Sequence, residues 1–534
     1  MAALADEISL YYCEDGTEFP VLWPTNDAPR YTWRWNEDHH PLPYPPLTAA
    51  IDHGPSRATI ETYAEADIDP PPMFRGFTIA NGFQYARASP LAGDELASFV
   101  QRSRALSARW GGACNVFEGY SLPRIVSLLE RLRGLPAESP VEEAADLHHR
   151  AFHLTHVGGP AVFQPLLMQL QALLAEALGP EARLLVQEIV QGAANDTIAS
   201  DQAIWEMAQM ANVTPERRAV VAAGHEGIHA LALLPAEDAF RQAFDAYVET
   251  HRYRAENWDS FSLTVGEDPG RVLMLVRNAM NARSPAEATA TSVRRREVAL
   301  ARVSHALAGR SAHLAGVQAI AAELEGYVGM REGRARWQLI AAGSLRHALL
   351  AKGTLLAERR VITTSEDVFL LLPEEVDRAI AGAPSDYGDE VETRRTRWEY
   401  WKAKRPPVLI GAEPTEPLLQ PIPIASTGPV LRGIPASRGT VTARVRVLGN
   451  LDQADTFEPG EVLVCAMTSP PWTPLFAIAA AVVTDSGAPL SHPAIAAREY
   501  GIPCVVGAKD ASRKLRTGMR VTVDGLAGTV TIEE

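Results

Sequence analysis

His492, near the C-terminus, has the surroundings best suited to chemistry in this chain. It follows a turn-rich loop that contains Gly487, and it precedes a run of small residues at 494–497. One imidazole nitrogen can attack a phosphorus atom while the other is fixed by a hydrogen bond, and the neutral ring is available near pH 7. The glycine and the small residues would let a phosphate come close to the ring. We therefore predict that one nitrogen of His492 is free for chemistry, with a buried structural histidine as the alternative.

Polar residues around His492 are candidates for binding a phosphate. Ser491 and Thr484 can hydrogen-bond the imidazole or the phosphate, and the first amide groups of a helix after His492 would favour an anion. Arg498 lies six residues further on, about one and two-thirds turns of a helix. We interpret Ser491, Thr484 and Arg498 as a candidate phosphate-binding set. A structural pair between Arg498 and Glu499 or another carboxylate stays open as the alternative.

A second histidine motif lies in the middle of the chain. Residues 225–229 are His-Glu-Gly-Ile-His, which fits the zinc-protease pattern of two histidines on one helical face, with Glu249 as a tolerable third ligand. Gly227 would weaken that helix by about 1 kcal/mol relative to alanine, and five-residue matches arise by chance. We therefore expect no metal site. His225 and His229 are instead candidates for lining a substrate pocket, with a surface or core role as the alternative.

The composition argues against several classes of protein. The formal net charge of -15 over 534 residues argues against a nucleic-acid binder, because affinity for a phosphate backbone relies on Lys and Arg. No segment reaches the roughly 20 apolar residues of a membrane span, and the N-terminus lacks the basic and apolar parts of a signal peptide. The four cysteines are widely spaced, so we expect no disulfide framework and a cytoplasmic location.

The chain divides into segments of different composition. Residues 1–90 are rich in proline and aromatic residues, which predicts an irregular entry segment packed on the following domain. Residues 91–404 repeat apolar side chains at helical spacing and predict a large helical domain. Residues 405–430 are rich in proline and predict a semi-stiff linker. Residues 431–534 change to β-branched runs broken by glycine, which predict a compact β/α domain.

Local signals place elements within these segments. Asn212, Ser284 and Ser365 are predicted helix starts, because Asn and Ser cap helix N-termini. A helical stretch is expected after His492. The predicted strands of the C-terminal domain are residues 440–447, 461–464, 481–484, 504–506, 520–523 and 529–532. The expected fold class is multidomain α+β.

The C-terminal domain resembles the mobile phosphohistidine domain of the phosphoenolpyruvate-utilising enzymes, which include pyruvate phosphate dikinase, phosphoenolpyruvate synthase and rifampicin phosphotransferase. The similarity lies in residues 433–439, 468–476 and 487–507. It implies that His492 accepts a phosphoryl group originating from ATP and that the whole domain swivels to a second site. The family often has Gly-Gly before the histidine, and this chain has Gly-Ala at 487–488, which leaves the nucleophile in place.

The helical body resembles the acceptor-substrate domain of the rifampicin phosphotransferase and phenylphosphate synthase type. His251-Arg252 with Glu256 is similar to that group's Gly-His-Arg-Gly-x-x-Glu motif, although Thr250 and Tyr253 replace both glycines. Further similarity lies at residues 36–48 and 331–371. The resemblance implies a pocket for a hydroxyl-bearing acceptor.

That acceptor needs a base near its hydroxyl and cations near the transferred phosphoryl group. His251, Arg252 and Glu256 are the first choice for these roles, against the alternative of a solvated polar helix face. Trp258 is a candidate for stacking on an aryl substrate, as are Phe261, Trp33 and Trp35, although core packing is the more common fate of tryptophan.

No Walker-type Gly-x4-Gly-Lys-Ser/Thr sequence occurs in the chain, and no ATP-grasp phosphate loop is recognisable. The resemblance therefore implies a separate ATP-grasp subunit that binds ATP and Mg²⁺, as in the two-component phenylphosphate synthases and the related 4-hydroxyacetophenone or acetovanillone kinases. The expected product is the phosphate ester of a small phenol. The alternatives are an antibiotic phosphotransferase of the rifampicin type, a phosphoenolpyruvate-type condensing component, and a non-enzymatic phosphorelay protein.

Overall fold

A computed structural model of the protein describes residues 8–37, 39–52, 56–70, 76–88, 93–157, 160–179, 182–192, 196–383, 386–414, 428–488 and 491–533. The fold is multidomain α+β, with a large helical region and a C-terminal β-rich domain, which confirms the predicted class. The chain forms two compact units. Unit 1 comprises Met1–Val162, Asn257–Leu263 and Trp337–Ile422, and unit 2 comprises Phe163–Glu256, Thr264–Arg336 and Pro423–Glu534.

The helices and strands are as follows. The described helices are α1 (Pro46–Ile51), α2 (Arg57–Glu65), α3 (Gly93–Trp110), α4 (Ala113–Asn115), α5 (Leu122–Arg133), α6 (Val141–Leu154), α7 (Pro160–Leu178), α8 (Ala182–Ile189), α9 (Asp196–Ala211), α10 (Pro215–Ala222), α11 (Gly227–Leu231), α12 (Ala239–His251), α13 (Gly270–Ala279), α14 (Pro285–Ala306), α15 (Ser311–Glu358), α16 (Pro373–Ile380), α17 (Gly388–Lys402), α18 (Thr473–Phe476), α19 (His492–Tyr500) and α20 (Ala511–Lys514). The described strands are β1 (Ile8–Tyr12), β2 (Glu18–Leu22), β3 (Thr32–Trp35), β4 (Phe77–Ala80), β5 (Phe83–Arg87), β6 (Leu409–Gly411), β7 (Val430–Arg432), β8 (Ile434–Ser437), β9 (Thr440–Val447), β10 (Val462–Cys465), β11 (Ala481–Thr484), β12 (Cys504–Val506), β13 (Arg520–Asp524) and β14 (Thr529–Ile532).

Unit 1 is built around a small sheet with an aromatic core. Its strands lie in the order β4-β5-β3-β6, and β1 and β2 form a separate antiparallel pair. Trp33 and Trp35 are buried in the core of this unit, together with Phe83 and Trp401. Core packing therefore accounts for Trp33 and Trp35. The sheet includes β6, which belongs to the segment predicted as a linker and pairs with β3. Residues 415–427 of that segment lie outside the described residues.

The helix α6 gives unit 1 a cluster of buried histidines. His148, His149 and His153 are each no more than 7% exposed, and His156 follows in the next turn. The Nδ1 atom of His148 lies 3.1 Å from the carbonyl oxygen of Ala341. Burial lowers the pKa of His148 to about 4 and that of His153 well below its ordinary value. The rings of His148 and His153 are therefore neutral at pH 7.

Acid should destabilise unit 1 through these rings. The unfolded chain takes up a proton on each histidine near pH 6.5, whereas folded His148 does so only near pH 4. The contribution of the neutral His148 ring to the free energy of unfolding is therefore complete above pH 6.5. It is lost as the pH falls toward 4. We expect His148 to cost about 2 kcal/mol of the free energy of unfolding between pH 7 and pH 5, measured by urea denaturation. His148→Gln should reduce this pH dependence. A change of the same size in His305→Gln, at an exposed histidine on α14, would contradict the assignment.

The helices of unit 2 begin at well-defined caps. Asp238 accepts hydrogen bonds from the first amides of α12, and the Thr214 side chain caps α10. Ser284 precedes α14 as predicted. The predicted start at Asn212 is wrong, because α9 continues to Ala211 and the cap is Thr214, followed by a proline that is pre-organised for the first helical position. Ser365, which belongs to unit 1, begins a 3-10 helix rather than an α-helix.

The C-terminal part of unit 2 contains one sheet in the order β7-β14-β13-β9-β10-β11-β12-β8. Its central strands β9 to β12 are parallel, and every residue of β10, β11 and β12 is buried, as expected of strands covered on both faces. All six predicted strands are present within one residue, and β7 and β8 were not predicted. In the part of the chain that the structure describes, every helix is too short or too polar to span a bilayer.

Candidate functional site

His492 is the first residue of α19, directly after the loop that leaves β11. Its side chain is mostly buried, with the whole residue 9% exposed. Its Nε2 atom lies 3.1 Å from the hydroxyl oxygen of Thr473, and that hydroxyl donates to the carbonyl of Pro470 at 2.7 Å. The ring also meets Phe476 edge to face, with centroids 6.3 Å apart. The short helix α18 therefore fixes the orientation of the imidazole.

The loop before His492 is held by its own hydroxyl groups. Ser491 donates from Oγ to the carbonyl of Ala488 at 2.8 Å, and Thr484 donates to the carbonyl of Ser486 at 2.7 Å. Gly487 has a φ of +123°, and a Cβ atom there would lie 3.0 Å from Ser491 Oγ. The loop thus needs glycine at 487, because a side chain would be strained and crowded. Ser491 and Thr484 shape the approach to His492 in this state.

Arg498 lies within the domain that carries His492. The residue is 5% exposed, and its Nε donates to the carbonyl of Ala436 in β8 at 2.7 Å. The neighbouring Glu499 accepts the backbone amide of Gly192 at 2.9 Å. These contacts tie α19 to the sheet and to the helical part of unit 2. The predicted phosphate contact of Arg498 stays a prediction.

The helical part of unit 2 contacts α19 along its C-terminal half. Ser292 on α14 donates to the carbonyl oxygens of Arg498 and Glu499 at 3.3 and 3.0 Å. Tyr500 donates its hydroxyl to Asp201 on α9 at 2.9 Å. The C-terminal domain is therefore docked on α9 and α14 by directed polar contacts.

Glu256 of the predicted acceptor motif lies at the same docking interface. Its backbone carbonyl accepts a hydrogen bond from Ser469 at 2.8 Å, four residues before the Thr473 that holds His492. Its carboxylate accepts from Arg271 at 2.6 Å and from the amide of Leu451 at 3.4 Å. Burial raises the pKa of Glu256, and the attraction of Arg271 opposes that rise. The structure thus brings Glu256 and the His492 domain together.

Arg271 is the centre of this charge network, although its sequence position gave no signal of it. Its guanidinium pairs with Glu256 and lies 2.9 Å from Asp268. It also pairs with Asp452, which follows β9 in the C-terminal domain. Asp268 in turn lies 2.7 Å from Nε2 of His225. His225, Asp268 and Glu256 are therefore joined through one arginine.

His251 and Arg252 point to different environments. His251 is 8% exposed, and its ring lies 4.4 Å from that of Tyr247. Burial lowers the pKa of His251 to about 2, and the positive charges of Arg254 and Arg336 add to that effect. Arg252 is exposed and pairs with Glu249 at 3.2 Å. The cations that act on His251 are thus Arg254 and Arg336, neither of which belongs to the predicted motif.

The remaining predicted residues lie apart from this network. His229 is exposed on α11, whereas His225 belongs to a preceding 3-10 helix, so the two do not share one continuous α-helix. Among the described residues, no group of three or more His, Cys, Asp or Glu side chains is placed to hold a metal. Trp258 belongs to unit 1, where its Nε1 donates to Gln338 at 3.2 Å and its ring lies 5.2 Å from that of His39.

Comparison with known proteins matches two segments of the chain. Residues 457–528 match the mobile domain of the PEP-utilising enzymes. Residues 153–332 match the fourth domain of rifampicin phosphotransferase. The chain therefore has one segment similar to the mobile domain of the PEP-utilising enzymes and one similar to the fourth domain of rifampicin phosphotransferase.

Three relatives show how these parts occur in other proteins. The uncharacterized phosphotransferase YvkC of Bacillus subtilis is 39% identical over 34% of this chain and 23% of its own length. Chondramide synthase cmdD of Chondromyces crocatus is 27% identical over 96% of this chain and 14% of its own length. Rifampicin phosphotransferase of Streptomyces sviceus is 35% identical over 35% of this chain and 21% of its own length. This chain thus spans less than a quarter of each of these relatives.

Proposed function

We propose that this chain is the phosphoryl-carrying and acceptor-binding component of a phosphotransferase. In this proposal His492 receives a phosphoryl group and passes it to the hydroxyl of a small molecule. The observation that carries the proposal is the position of His492, at the N-terminus of α19 within the segment that matches the mobile domain. The first amides of a helix favour an anion, so a phosphoryl group on this ring would be stabilised there.

The transfer step follows from the chemistry of the imidazole. The acceptor oxygen forms a bond to phosphorus while the N–P bond to His492 breaks, and the electron pair of that bond returns to the ring. The hydroxyl proton leaves to a nearby base, for which His251 is our first choice. Such a transfer depends mainly on positioning and on neutralising the phosphoryl charge. Swivelling of the His492 domain between the donor and acceptor sites completes the cycle that we propose.

The donor in this proposal is ATP, bound with Mg²⁺ by a separate ATP-grasp subunit. This part of the proposal rests on the resemblance of His251, Arg252 and Glu256 to the motif that includes the two-component phenylphosphate synthases.

The acceptor that we propose is a small phenol such as 4-hydroxyacetophenone or acetovanillone. This rests on the similarity of His251, Arg252 and Glu256 to the motif of the rifampicin phosphotransferase and phenylphosphate synthase type. A phenol loses its proton more readily than an aliphatic alcohol, so a weak base suffices. A rifampicin-type antibiotic is the second candidate, because residues 153–332 match a domain of rifampicin phosphotransferase.

A paired acceptor assay tests the proposal. The chain is mixed with Mg²⁺, an ATP-grasp protein encoded beside its gene, and ATP labelled with ³²P at the β and γ positions. Phenol, 4-hydroxyacetophenone, acetovanillone and rifampicin are offered separately, and phosphate esters are detected by chromatography. We expect the phenolic compounds to be phosphorylated and rifampicin to react at least about tenfold more slowly, a difference of roughly 1.4 kcal/mol in the transition state.

The opposite ranking would replace the phenol with the antibiotic as acceptor. Labelling of the chain without transfer to any of the four compounds would contradict the proposed acceptor and favour a phosphorelay protein. A reaction that proceeds equally well without the ATP-grasp protein would contradict the proposed division between two subunits.

A further inference from the structure

Arg254 is a buried arginine in unit 2 that lies three residues after the end of α12. The residue is 7% exposed. Its two terminal nitrogens donate to the hydroxyl oxygens of Ser200 and Tyr247, at 3.0 and 2.9 Å. Its Nε is buried and has no hydrogen-bond partner among the residues that the structure describes. Both of its side-chain partners are therefore neutral.

The positive charge of Arg254 has no counter-charge in the described part of the chain. No Asp or Glu oxygen there lies within 4 Å of its guanidinium. Arg217, by comparison, is also largely buried and pairs with Asp238 at 2.9 Å. Buried charges are normally paired, because removing an ion from water costs several kcal/mol. An unpaired buried guanidinium therefore points to a missing anion.

His251, near Arg254, provides a second buried polar atom that lacks a hydrogen-bond partner among the described residues. Its Nδ1 is buried and has no partner among the described residues. The charged groups that face the ring are Arg254 and Arg336, and Tyr247 covers it on one side. The ring is neutral, because its pKa is lowered to about 2 by burial and by these cations. A nearby anion would offset the two positive charges and let His251 accept a proton more readily.

We propose that Arg254 and His251 form a binding site for a phosphoryl group. The guanidinium offers the planar, charged donors that suit phosphate oxygens, and His251 lies beside it with a free ring nitrogen. This inference rests on the proposed function for the identity of the occupant, which is the phosphoryl group in transit or the phosphate ester formed from it. Arg254 supplies the charge, and His251 takes the acceptor proton once that charge is neutralised.

The site lies beside the segment that holds His492. Two residues after Arg254, Glu256 accepts the hydrogen bond from Ser469. Ser200 belongs to α9, and α9 packs against α18, which carries Thr473. The docked C-terminal domain thus covers the same helices that form the site. Binding of a phosphoryl group would therefore take place where that domain arrives.

Phosphate-dependent thermal stability tests the proposal with inorganic phosphate as the probe. The full chain is melted at increasing phosphate, with KCl at matched ionic strength as reference. A ligand that binds only the folded state raises Tm. We expect phosphate to raise Tm of the wild type. Arg254→Gln should melt at an equal or higher temperature without phosphate, and it should need about tenfold or more phosphate for the same gain.

Arg217→Gln is the matched control, because it removes a largely buried arginine that has a carboxylate partner. It should lower Tm and keep the full gain from phosphate. The proposed site would be overturned if phosphate raised Tm equally in Arg254→Gln and wild type. It would also be overturned if phosphate raised Tm of the wild type no more than KCl does. The same rise in Tm with phosphate in wild type, Arg254→Gln and Arg217→Gln would show an adventitious ion only.

A second measurement follows His251 itself by NMR of its imidazole. Saturating phosphate should raise the pKa of this ring in wild type and leave it unchanged in Arg254→Gln. An unchanged pKa in wild type would overturn the role given to His251. These binding measurements do not require His492 to be phosphorylated. Failure of phosphate binding therefore remains distinguishable from failure of the carrier function, which is measured by labelling of His492.

Discussion

Replacing His492 with alanine is expected to abolish labelling of the chain and to lower phosphorylation of the acceptor by a factor on the order of 10⁴ or more, as expected when a covalent nucleophile is removed. The residues around it cannot substitute, because Thr473 and Ser491 present hydroxyl groups that already donate to backbone carbonyls. The measurement is ³²P incorporation into the protein in the paired acceptor assay. The label in wild type should be labile to acid and stable to alkali, as a phosphoramidate is.

The fold should survive this substitution, so the loss can be assigned to chemistry. His492 stands at the first position of α19, and an alanine there is compatible with a helix. His305→Asn is the matched control, since His305 is exposed on α14 and should label normally. Retention of wild-type labelling and turnover in His492→Ala, with unchanged circular dichroism, would refute the carrier role.

Replacing Arg271 with methionine is expected to lower the free energy of unfolding by about 2–4 kcal/mol. The substitution keeps the apolar bulk and removes the cation shared by Glu256, Asp268 and Asp452. Glu256 and Asp268 are largely buried and would be left as neighbouring negative charges. The pKa of Glu256, already raised by burial, should rise further without Arg271. Urea denaturation at pH 7.5 measures the loss.

The same substitution should loosen the docked C-terminal domain, because Arg271 lies on α13 and Asp452 lies in that domain. Hydrogen exchange of the amides in Leu451–Thr456, the segment that contains Asp452, should therefore be faster in Arg271→Met than in wild type. Arg310→Met is the control, because Arg310 forms an exposed pair with Glu176 that should contribute less than about 1 kcal/mol. Equal losses in the two variants would show that the Arg271 network adds nothing beyond a surface ion pair.

The C-terminal domain could be predicted from local sequence because its signals are local. The run at β11 is apolar and β-branched throughout, which is how a strand buried on both faces differs from a half-exposed one. His492 could be selected as a candidate because glycine and small residues surround it. β7 and β8 were missed because they are short and contain or adjoin glycine and proline, so their strand character comes from pairing with β14 and β12.

The docking network could not be predicted, because it joins residues that are distant in the sequence. Arg271 and Asp452 lie 181 positions apart, and no spacing rule connects them. The motif comparison selected Arg252 beside His251. The helix ends at that point, which turns Arg252 toward solvent and Arg254 inward. A difference of two residues at a helix C-terminus therefore decided which cation faces the histidine, and that direction depends on tertiary packing.

The segment that contains Ser469 and Thr473 performs two tasks at once. Ser469 binds the helical part of unit 2, and Thr473 holds the ring of His492. Docking and the chemical state of His492 are therefore thermodynamically linked. If docking changes the affinity of His492 for a phosphoryl group by some factor, phosphorylation must change the docking equilibrium by that same factor. Phosphorylation of His492 would thus shift the docking equilibrium of the domain directly, without a separate sensor.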